Sequence, residues 1–511
     1  MLANFFTKSA MAASQVLQGF DPAALQQKLE SCVVGIAFDH DAAKSSEGKT
    51  AVGLAVNLLS RFYPRIGIVD LTRRDRDLTE TLAVQARAIN PAIEILDDVN
   101  HVTAVLVIGG TRARAPAVFY LGSDGWIVKL SSKDPVGSGD SGYAFGAGAA
   151  ACFGAANLFR NIFDAELGSG CGDEFAISLI DLVPNAQKLA NPSERSIDLG
   201  ETHLVGAGAI GNATVWALRE TTRLRGELLV IDAEKVDLSN LQRYVLTDQG
   251  SIEKYKVDSV AAELERSNIR VQPHRVRWGE YLAQTGRWNL KCVAVAVDSA
   301  EDRCAIQASL PETILNAWTQ PGDFGISRHT SFGRSACLMC LYLPRQVEKS
   351  EDELIAEAIR LPERKLQIRQ LLYAGESVPD ELLNAIAAAT QIPEKELEQF
   401  RGCTMRQFYS RAICGGLVMH LGGQVGPVPM PAHVPMAFQS AAAGILLAAE
   451  LVIDAGKLRS GPAAVSTRIN LLKPLAGELS VPIARDASGR CICADLDYLR
   501  VCGEKYATQA R

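Results

Sequence analysis

Long runs of Lys and Arg are missing from this chain of 511 residues, whose formal net charge is -6. Nucleic acids are bound through clustered positive charge, so this pattern argues against nucleic acid as the main partner. Hydrophobic residues make up 48% and charged residues 22% of the chain, as is ordinary for a soluble globular protein. The length exceeds what one core supports, so we expect two or three domains.

Windows of about eighteen uninterrupted apolar residues are also missing, which argues against a membrane span. The segment from Met1 to Phe20 has neither a long apolar core nor a clear cleavage pattern, which argues against a secretory signal. The expected location is therefore the cytoplasm, where thiols stay reduced. In that compartment, closely spaced cysteines among the 12 present suggest a metal site or catalysis rather than disulfides.

Two α/β units follow each other along the chain. The first contains β-branched runs typical of buried parallel strands, at Val33–Phe38, Ile66–Leu71 and Ala104–Ile108. It also contains a predicted helix of small residues, Tyr143–Phe163. A break rich in Pro and Asn, from Pro184 to Ser196, predicts a linker before the second unit. Both units order strand, helix, strand and later a small-residue helix, as one divergent duplication would.

The second unit contains a glycine-rich turn, His203–Gly211, that fits the fingerprint of dinucleotide-binding folds. Gly206 permits the tight turn, Gly208 lets the backbone approach a phosphate, and Gly211 lets the helix pack on the strand. The helix N-terminus then offers N–H groups to an anion. Asp232 ends the next strand, where a carboxylate can bond ribose hydroxyls. Alone, this pattern suits NAD as well as ATP.

Three further segments distinguish these nucleotides: Ile231–Arg243, Ile252–Ser259 and Val297-Asp298-Ser299. Together they resemble the signature of the ubiquitin-activating and ThiF/MoeB adenylating enzyme family. The resemblance is strong over Leu199–Ser309 and looser over Gly415–Ala455. It implies a Rossmann-like adenylation domain that uses ATP.

By this resemblance, Asn240, Arg243 and Lys256 would contact the phosphates, and Asp298 would help to hold Mg²⁺. Adenylation joins two anions, a carboxylate and a triphosphate, so the site must neutralise several negative charges. Arg243 would supply a planar fork of donors and Lys256 a compact point charge. Tyr244 departs from the family, since the sulfur-carrier branch usually has Gln there.

Cys403 is the favoured nucleophile, because Cys403–Phe408 resembles the segment around the thioester cysteine of ubiquitin-activating enzymes. In that family the catalytic cysteine follows a helical insertion, and Gln346–Gln399 has helical periodicity that predicts three short helices. Arg401 and Arg406 would lower the pKa of the thiol. Cys414 is the rival nucleophile, and a structural role for both cysteines is the remaining alternative.

Cys337 and Cys340 have the spacing of zinc ligands, and Cys491 with Cys493 is the best second pair. ThiF/MoeB-like proteins join two such pairs and so fix the chain's tail to the core. Cys502 is a spare ligand, and four reduced buried thiols are the alternative. A closed four-cysteine zinc site would be structural.

The resemblance also predicts the α/β domain architecture, with a degenerate adenylation-like domain, an active domain and a helical insertion. The expected domains are residues 1–195 (degenerate, binding no ATP), 196–345 (active adenylation domain), 346–410 (helical insertion with the catalytic cysteine) and 411–511 (remainder of the active domain with a zinc-binding tail). The layout resembles the bacterial activating enzymes of ubiquitin-like antiphage systems, of the BilD type.

The favoured function is therefore ATP-dependent activation of a ubiquitin-like protein that ends in glycine, followed by transfer to a conjugating enzyme. A homodimer is possible. One alternative is a sulfur-carrier adenylyltransferase, although those enzymes are short. An NAD-dependent oxidoreductase would leave Arg243, Lys256 and the cysteines without a role. A scaffold without catalysis would leave clustered cations without a ligand.

Overall fold

The computed structural model describes residues 2–98, 101–343, 350–409, 412 and 433–507. These residues form two compact units. The larger unit contains the described residues of Met1–Phe6, Val16–Leu343 and Pro435–Arg511, and the smaller unit contains those of Thr7–Gln15 and Pro344–Val434. The larger unit carries both β-sheets. We call its residues before Ile197 the first half, which carries the first sheet, and its residues from Ile197 onward the second half, which carries the second sheet.

The first half contains one mainly parallel sheet. Its strands are β1 (Val34–Phe38), β2 (Arg65–Asp70), β3 (Glu94–Leu96), β4 (Ala104–Ile108), β5 (Ala117–Asp124), β6 (Ile127–Ser131) and β7 (Phe175–Ser178). Their spatial order is β3-β2-β1-β4-β5-β6-β7. Every pair from β3 to β5 is parallel, whereas β5-β6 and β6-β7 are antiparallel. In the central strand, Val34 pairs with Ile66 on one side and with Ala104 on the other.

The second half contains a sheet of the same design. Its strands are β8 (Ile197–Val205), β9 (Leu224–Ile231), β10 (Asn268–His274), β11 (Cys292–Val295), β12 (Thr313–Gln320), β13 (Asp323–His329), β14 (Ser466–Ile469) and β15 (Ser480–Val481). Their order is β10-β9-β8-β11-β12-β13-β14-β15. The pairs are parallel from β10 to β12 and antiparallel beyond. Through seven strands the two sheets therefore share one topology, as a duplication predicts.

Helices cover the sheets and build the smaller unit. In chain order they are α1 (Phe6–Ser14), α2 (Pro22–Ser31), α3 (His40–Lys44), α4 (Ser46–Ser60), α5 (Arg76–Ile89), α6 (Phe145–Ile162), α7 (Asp164–Leu167), α8 (Ala209–Glu220), α9 (Lys256–Glu263), α10 (Trp278–Thr285), α11 (Ala300–Ala308), α12 (Leu338–Tyr342), α13 (Glu351–Ala358), α14 (Lys365–Ala374), α15 (Asp380–Thr390), α16 (Glu394–Leu397), α17 (Met405–Phe408), α18 (Ala437–Gly456) and α19 (Leu496–Ala507). Short 3-10 helices cover Leu238–Gln242, Gln249–Ser251, Pro362–Arg364, Glu398–Phe400 and Ile492–Ala494.

Small residues let helices of the two halves approach closely. A Cβ atom at Gly148 of α6 would lie 3.0 Å from Ile445 Cδ1 of α18 and 2.8 Å from Trp216 Cζ3 of α8. Such contacts exclude a larger side chain at position 148 unless its neighbours move. Among the described residues, α18 is long and apolar enough to cross a membrane, but 94% of its apolar window is buried inside the protein. We therefore interpret α18 as a core helix.

The smaller unit has an apolar core of its own. Ile355, Ile368, Leu382, Ile386 and Phe408 come from four helices, α13, α14, α15 and α17, and are fully buried together. Apolar residues at helical spacing on short helices explain this packing, because each helix buries one face.

Several expectations about secondary structure are confirmed and others need correction. The predicted strand Ala104–Ile108 is present, and the predicted small-residue helix is α6, Phe145–Ile162. The interval expected to hold three helices holds four α-helices among its described residues, because Pro393 begins the additional short helix α16. The tail after β15 contains helix α19.

Candidate functional site

The turn between β8 and α8 shows why its three glycines are spaced as they are. Gly206 has a φ of +95°, and a Cβ atom there would lie 2.7 Å from Ala296 O. A Cβ atom at Gly211 would lie 2.0 Å from Gly206 O, so α8 packs directly on the turn. Gly208 is the N-cap of α8, and its cap includes no side-chain hydrogen bond among the described residues. The N-terminus of α8 can therefore offer its N–H groups to an anion.

Asp232 follows β9 and closes this turn from the neighbouring strand. Its Oδ2 atom accepts a hydrogen bond from Ala207 N at 2.8 Å, and its Oδ1 atom accepts one from Glu234 N at 2.8 Å. Burial raises the pKa of the Asp232 carboxyl above its ordinary value, although the nearby Lys256 ammonium opposes this shift. The carboxylate thus lies beside the glycine turn, at the carboxyl ends of adjacent parallel strands.

Lys256 is a buried cation next to this carboxylate. Only 6% of the residue is exposed, and its Nζ atom lies 2.5 Å from Glu234 Oε2. Burial opposes the charge, but Tyr244, Asp232 and Glu234 together hold the pKa of Lys256 above its ordinary value. Conversely, Lys256 lowers the pKa of Glu234. Glu234 lies two residues after Asp232 but was not among the site residues predicted from the sequence.

The Tyr244 ring lies near both cations expected to bind phosphate. The Arg243 guanidinium carbon is 5.5 Å and Lys256 Nζ is 5.4 Å from the centre of its ring. A Cβ atom at Gly208 would be 3.5 Å from Tyr244 Oη, which places the tyrosine at the glycine turn. The buried ring therefore connects Arg243, Lys256 and the turn into one cluster.

Asn240 belongs to a capped 3-10 helix, Leu238–Gln242. Asp237 begins this helix, accepting a hydrogen bond from Ser239 N at 2.9 Å. Asn240 Oδ1 accepts a hydrogen bond from Asp237 N at 3.0 Å, which fixes the side chain. Arg243 N donates a hydrogen bond to Asn240 O at 3.0 Å, so the two residues share one turn of the backbone.

Asp298 lies three residues beyond the end of β11, on the other side of β8 from Asp232. Arg303 is buried and fixes this turn, because its guanidinium donates to Val297 O and, at 3.1 Å, to Asp298 O. The Arg303 Nε atom also donates to Asn316 Oδ1 at 3.1 Å. The Asp298 residue itself is exposed, as a metal-binding carboxylate at the rim of a cleft can be.

The same edge of the first sheet is arranged differently. Asp39 follows β1, where the second half has Gly206. Its Oδ1 atom accepts from Ala42 N at 3.0 Å, and its Oδ2 atom accepts from Gly110 N at 2.7 Å. The chain's own carboxylate therefore caps this helix N-terminus and bonds the turn after β4.

Cys403 belongs to the smaller unit and is half-buried beside its core. Val378 N donates to its carbonyl oxygen at 2.8 Å, and the next residue, Thr404, caps α17. The two arginines expected to act on this thiol bind carboxylates: Arg406 is paired with Glu351 at 3.0 Å and Arg401 with Asp380 at 3.6 Å. Cys414, the rival nucleophile, lies outside the described residues.

Four cysteines form a buried cluster in the larger unit: Cys337, Cys340, Cys491 and Cys493. Their Sγ atoms lie within 4.8 Å of one another, and neighbouring atoms are 3.3–3.8 Å apart. Zinc–sulfur bonds of about 2.3 Å in tetrahedral geometry place sulfur atoms about 3.8 Å apart. Asp486 N donates to Cys340 Sγ at 3.4 Å, as backbone groups do to metal-bound thiolates. The cluster fits zinc, and Cys502 is not part of it.

The sequence profile of the ThiF family matches residues 193–453, which is half of the chain and includes the glycine turn, Asp232, Arg243, Lys256 and Asp298. The chain belongs to the ThiF family. The predicted relationship to adenylating enzymes is thereby confirmed, and ThiF membership supports ATP-dependent adenylation as the reaction class. The narrower likeness to antiphage activating enzymes stays a prediction.

Relatives of this ThiF protein extend along different parts of the chain. It is 45% identical to the uncharacterized protein y4jF of Sinorhizobium fredii over 507 residues, 99% of this chain and 97% of that protein. It is 29% identical to ubiquitin-like modifier-activating enzyme 5 of Drosophila melanogaster over 156 residues, 27% of this chain and 38% of that protein. The crystal structure of E. coli MccB with MccA-N7isoASN aligns with a TM-score of 0.35 and 16% identity, covering 58% of this chain and 67% of that one.

The first half matches a second family, described as prokaryotic E2 family C, over residues 37–164. These residues include the end of β1 and all of β2 to β6 with the helices between them, in a mainly parallel sheet. Cys152 of α6 is the one cysteine within this range of the sequence. It is fully buried, and burial raises the pKa of its thiol above the ordinary value.

Proposed function

We propose that this ThiF-family protein activates the C-terminal glycine of a ubiquitin-like protein with ATP and then carries it as a thioester on Cys403. One observation carries the proposal. The N-terminus of α8, which has no side-chain cap among the described residues, lies with the Asp232 carboxylate and the buried Lys256 cation at the carboxyl ends of adjacent parallel strands. A nucleoside triphosphate requires positive charge near its phosphates, from a helix N-terminus and a cation, and a hydrogen-bond acceptor for its ribose hydroxyls.

In the first step, the modifier's terminal carboxylate attacks the α-phosphorus, the bond to the bridging oxygen breaks, and pyrophosphate leaves. Lys256 and Arg243 would neutralise the charge on the phosphates, and Asn240 would add a hydrogen bond. Magnesium, held with the help of Asp298, would supply further positive charge. These roles rest on the family motif and on the positions of the side chains.

In the second step, the Cys403 thiolate attacks the acyl carbon, a thioester forms and AMP leaves. Cys403 is half-buried rather than enclosed. The resemblance to ubiquitin-like modifier-activating enzyme 5 supports a ubiquitin-like substrate, and a conjugating enzyme would then accept the thioester. A reducing cytoplasm suits this chemistry because the thiol must remain free.

The first half supports this reaction without carrying a nucleotide or a thioester of its own. Asp39 supplies an internal anion where a phosphate would approach. The family name E2 refers to conjugating enzymes, which need an accessible thiol, but Cys152 is enclosed in α6. We therefore assign both steps to the second half and the smaller unit.

ATP–pyrophosphate exchange with candidate modifiers that end in Gly-Gly tests the first step. Non-reducing gels of wild type, Cys403→Ala, Cys414→Ala and the control Cys171→Ala test the second, since Cys171 is exposed in the first half. A thiol-sensitive band lost only in Cys403→Ala is the expected result. Exchange without a band in any variant would favour a sulfur-carrier adenylyltransferase. ATP binding that is absent while NAD binds tightly would contradict adenylation itself.

A further inference from the structure

The segment Leu238–Ser251, which we call the signature loop, contains Asn240 and Arg243 and is held by side chains of the first half. The Arg61 guanidinium at the end of α4 donates from Nη1 to Leu241 O at 2.5 Å and from Nη2 to Thr247 O at 2.9 Å. Between these two acceptors, Asn57 Nδ2 donates to Val245 O at 2.9 Å.

Arg61 and Asn57 also bind each other, since Arg61 Nε donates to Asn57 Oδ1 at 2.9 Å. Their exposed fractions are 1% and 6%. A buried guanidinium is costly unless its donors are satisfied, and here its partners include the backbone of the signature loop. The arrangement is therefore a specific contact rather than incidental packing.

Two further hydrogen bonds fix the same loop. Gln249 Nε2 donates to Ile89 O at the end of α5, at 2.9 Å. Leu246 N donates to Asn212 Oδ1 of α8, at 2.6 Å. The backbone on both sides of Arg243 is thus anchored to the first half, with the helix of the glycine turn as a second support.

We propose that Arg61 and Asn57 are positioning residues that act through the signature loop to set Arg243 and Asn240 for nucleotide binding. The proposal rests on the proposed function, because it concerns ATP. It gives the first half a role in the reaction, because the loop is already ordered before ATP binds. One carbonyl group before Arg243, that of Leu241, and two after it, those of Val245 and Thr247, accept hydrogen bonds from Arg61 and Asn57. A loop that lacks these bonds must be ordered by ATP, which weakens affinity.

Calorimetric titration of the full chain with ATP and Mg²⁺ tests this proposal. We expect Arg61→Gln to raise the Kd for ATP about tenfold, and Arg61→Lys to raise it less, because lysine keeps the charge but loses the fork. The matched control is Arg160→Gln. Arg160 is a second buried arginine of the first half, and its partners Asp173 and Gly170 lie within that half. Its loss should leave the Kd within twofold of wild type.

Hydrogen–deuterium exchange separates positioning from general destabilisation. Amides of the signature loop should exchange faster in Arg61→Gln than in wild type, whereas Arg160→Gln should leave them unchanged. If Arg61→Gln does not fold, Asn57→Leu is the second variant. It removes the bond to Val245 O, and we expect it to raise the Kd about threefold.

An unchanged Kd in Arg61→Gln, or equal loop exchange in Arg61→Gln and Arg160→Gln, would overturn the proposal while leaving adenylation intact. Wild type that fails to bind ATP would instead contradict the proposed function. In that case the hydrogen–deuterium exchange experiment still decides whether Arg61 orders the loop.

Discussion

The first and second halves share one strand order, but they finish their central strands differently. After β1 the chain places Asp39, and its carboxylate accepts backbone hydrogen bonds from Ala42 and Gly110. After β8 the chain places Gly206, and the following helix begins at Gly208 without a side-chain cap among the described residues. In the first half the chain's own carboxylate bonds the helix N-terminus, whereas in the second half no side chain does so among the described residues.

The neighbouring strand ends are more alike. Asp70 at the end of β2 and Asp232 after β9 each accept a hydrogen bond from the backbone N–H two residues later, that of Thr72 and that of Glu234. The second oxygen differs, because Asp232 bonds Ala207 of the glycine turn whereas Asp70 bonds the loop residue Asp75. The two halves thus share the geometry of this strand end but differ in what the second carboxylate oxygen bonds.

Substitutions in the four-cysteine cluster should have the largest effect on stability. Within the described residues this cluster belongs to the second half alone. We expect about one zinc per chain. Cys491→Ser should lower the free energy of unfolding by about 4 kcal/mol or more, since loss of a structural metal is among the largest single-residue effects. Metal analysis and denaturant titration measure both quantities. Cys502→Ser is the control and should retain zinc; zinc-free wild type of full stability would refute the metal site.

Lys256→Met should reduce kcat/KM for ATP–pyrophosphate exchange by about 10²–10³, the loss typical of one charge-stabilising donor. The matched variant in the first half is Lys44→Met. Lys44 also binds a carboxylate, that of Asp75 at 2.7 Å, but it lies beside the edge occupied by Asp39. Its kcat/KM should equal that of wild type. Equal losses in both variants would mean that the two edges are not functionally distinct.

Substitutions of two glycines in the turn should affect stability and ATP binding differently. Gly211→Ala places a Cβ atom against Gly206 O and should lower the free energy of unfolding by about 1–3 kcal/mol. Gly208→Ala meets only Tyr244 Oη at ordinary contact distance, so it should preserve stability but weaken ATP binding.

Gly53→Ala in α4 is the control for both glycine variants, because a Cβ atom there has open space. It should stabilise the protein by about 0.5–1 kcal/mol by restricting the unfolded chain. Thermal unfolding and ATP titration give the two readouts. Normal ATP binding by the Gly208→Ala variant would show that the ATP phosphates do not bind at this turn.

The smallest expected effect is that of the internal anion. Asp39→Ala removes a buried cap and should lower the free energy of unfolding by about 1 kcal/mol, without changing the Kd for ATP. Asp21→Ala, which removes an exposed cap of α2, should cost less. Denaturant titration compares the two variants. A second ATP bound per chain in Asp39→Ala would show that this carboxylate alone keeps the first half closed.

Local sequence was sufficient for much of the second half. Gly206 and Gly211 were identified from their spacing, and the positive φ at Gly206 and the close approach at Gly211 confirm their structural roles. The roles of Asn240, Arg243, Lys256 and Asp298 in binding stay predictions. Strand β10 was missed because it is polar and contains Pro273, which a sheet tolerates at its edge.

By itself, the sequence determined the glycine turn, the buried central strands and the two closely spaced cysteine pairs, since each depends on residues close together along the chain. Only the tertiary structure decided that Arg61 reaches Leu241, that Asp39 meets Gly110, and that Cys337 lies 3.3 Å from Cys491. The partners in these contacts are separated by 180, 71 and 154 positions. Spacing along the chain carries no information about such pairs, because the order of strands in the sheets and the packing of helices on them bring these residues together.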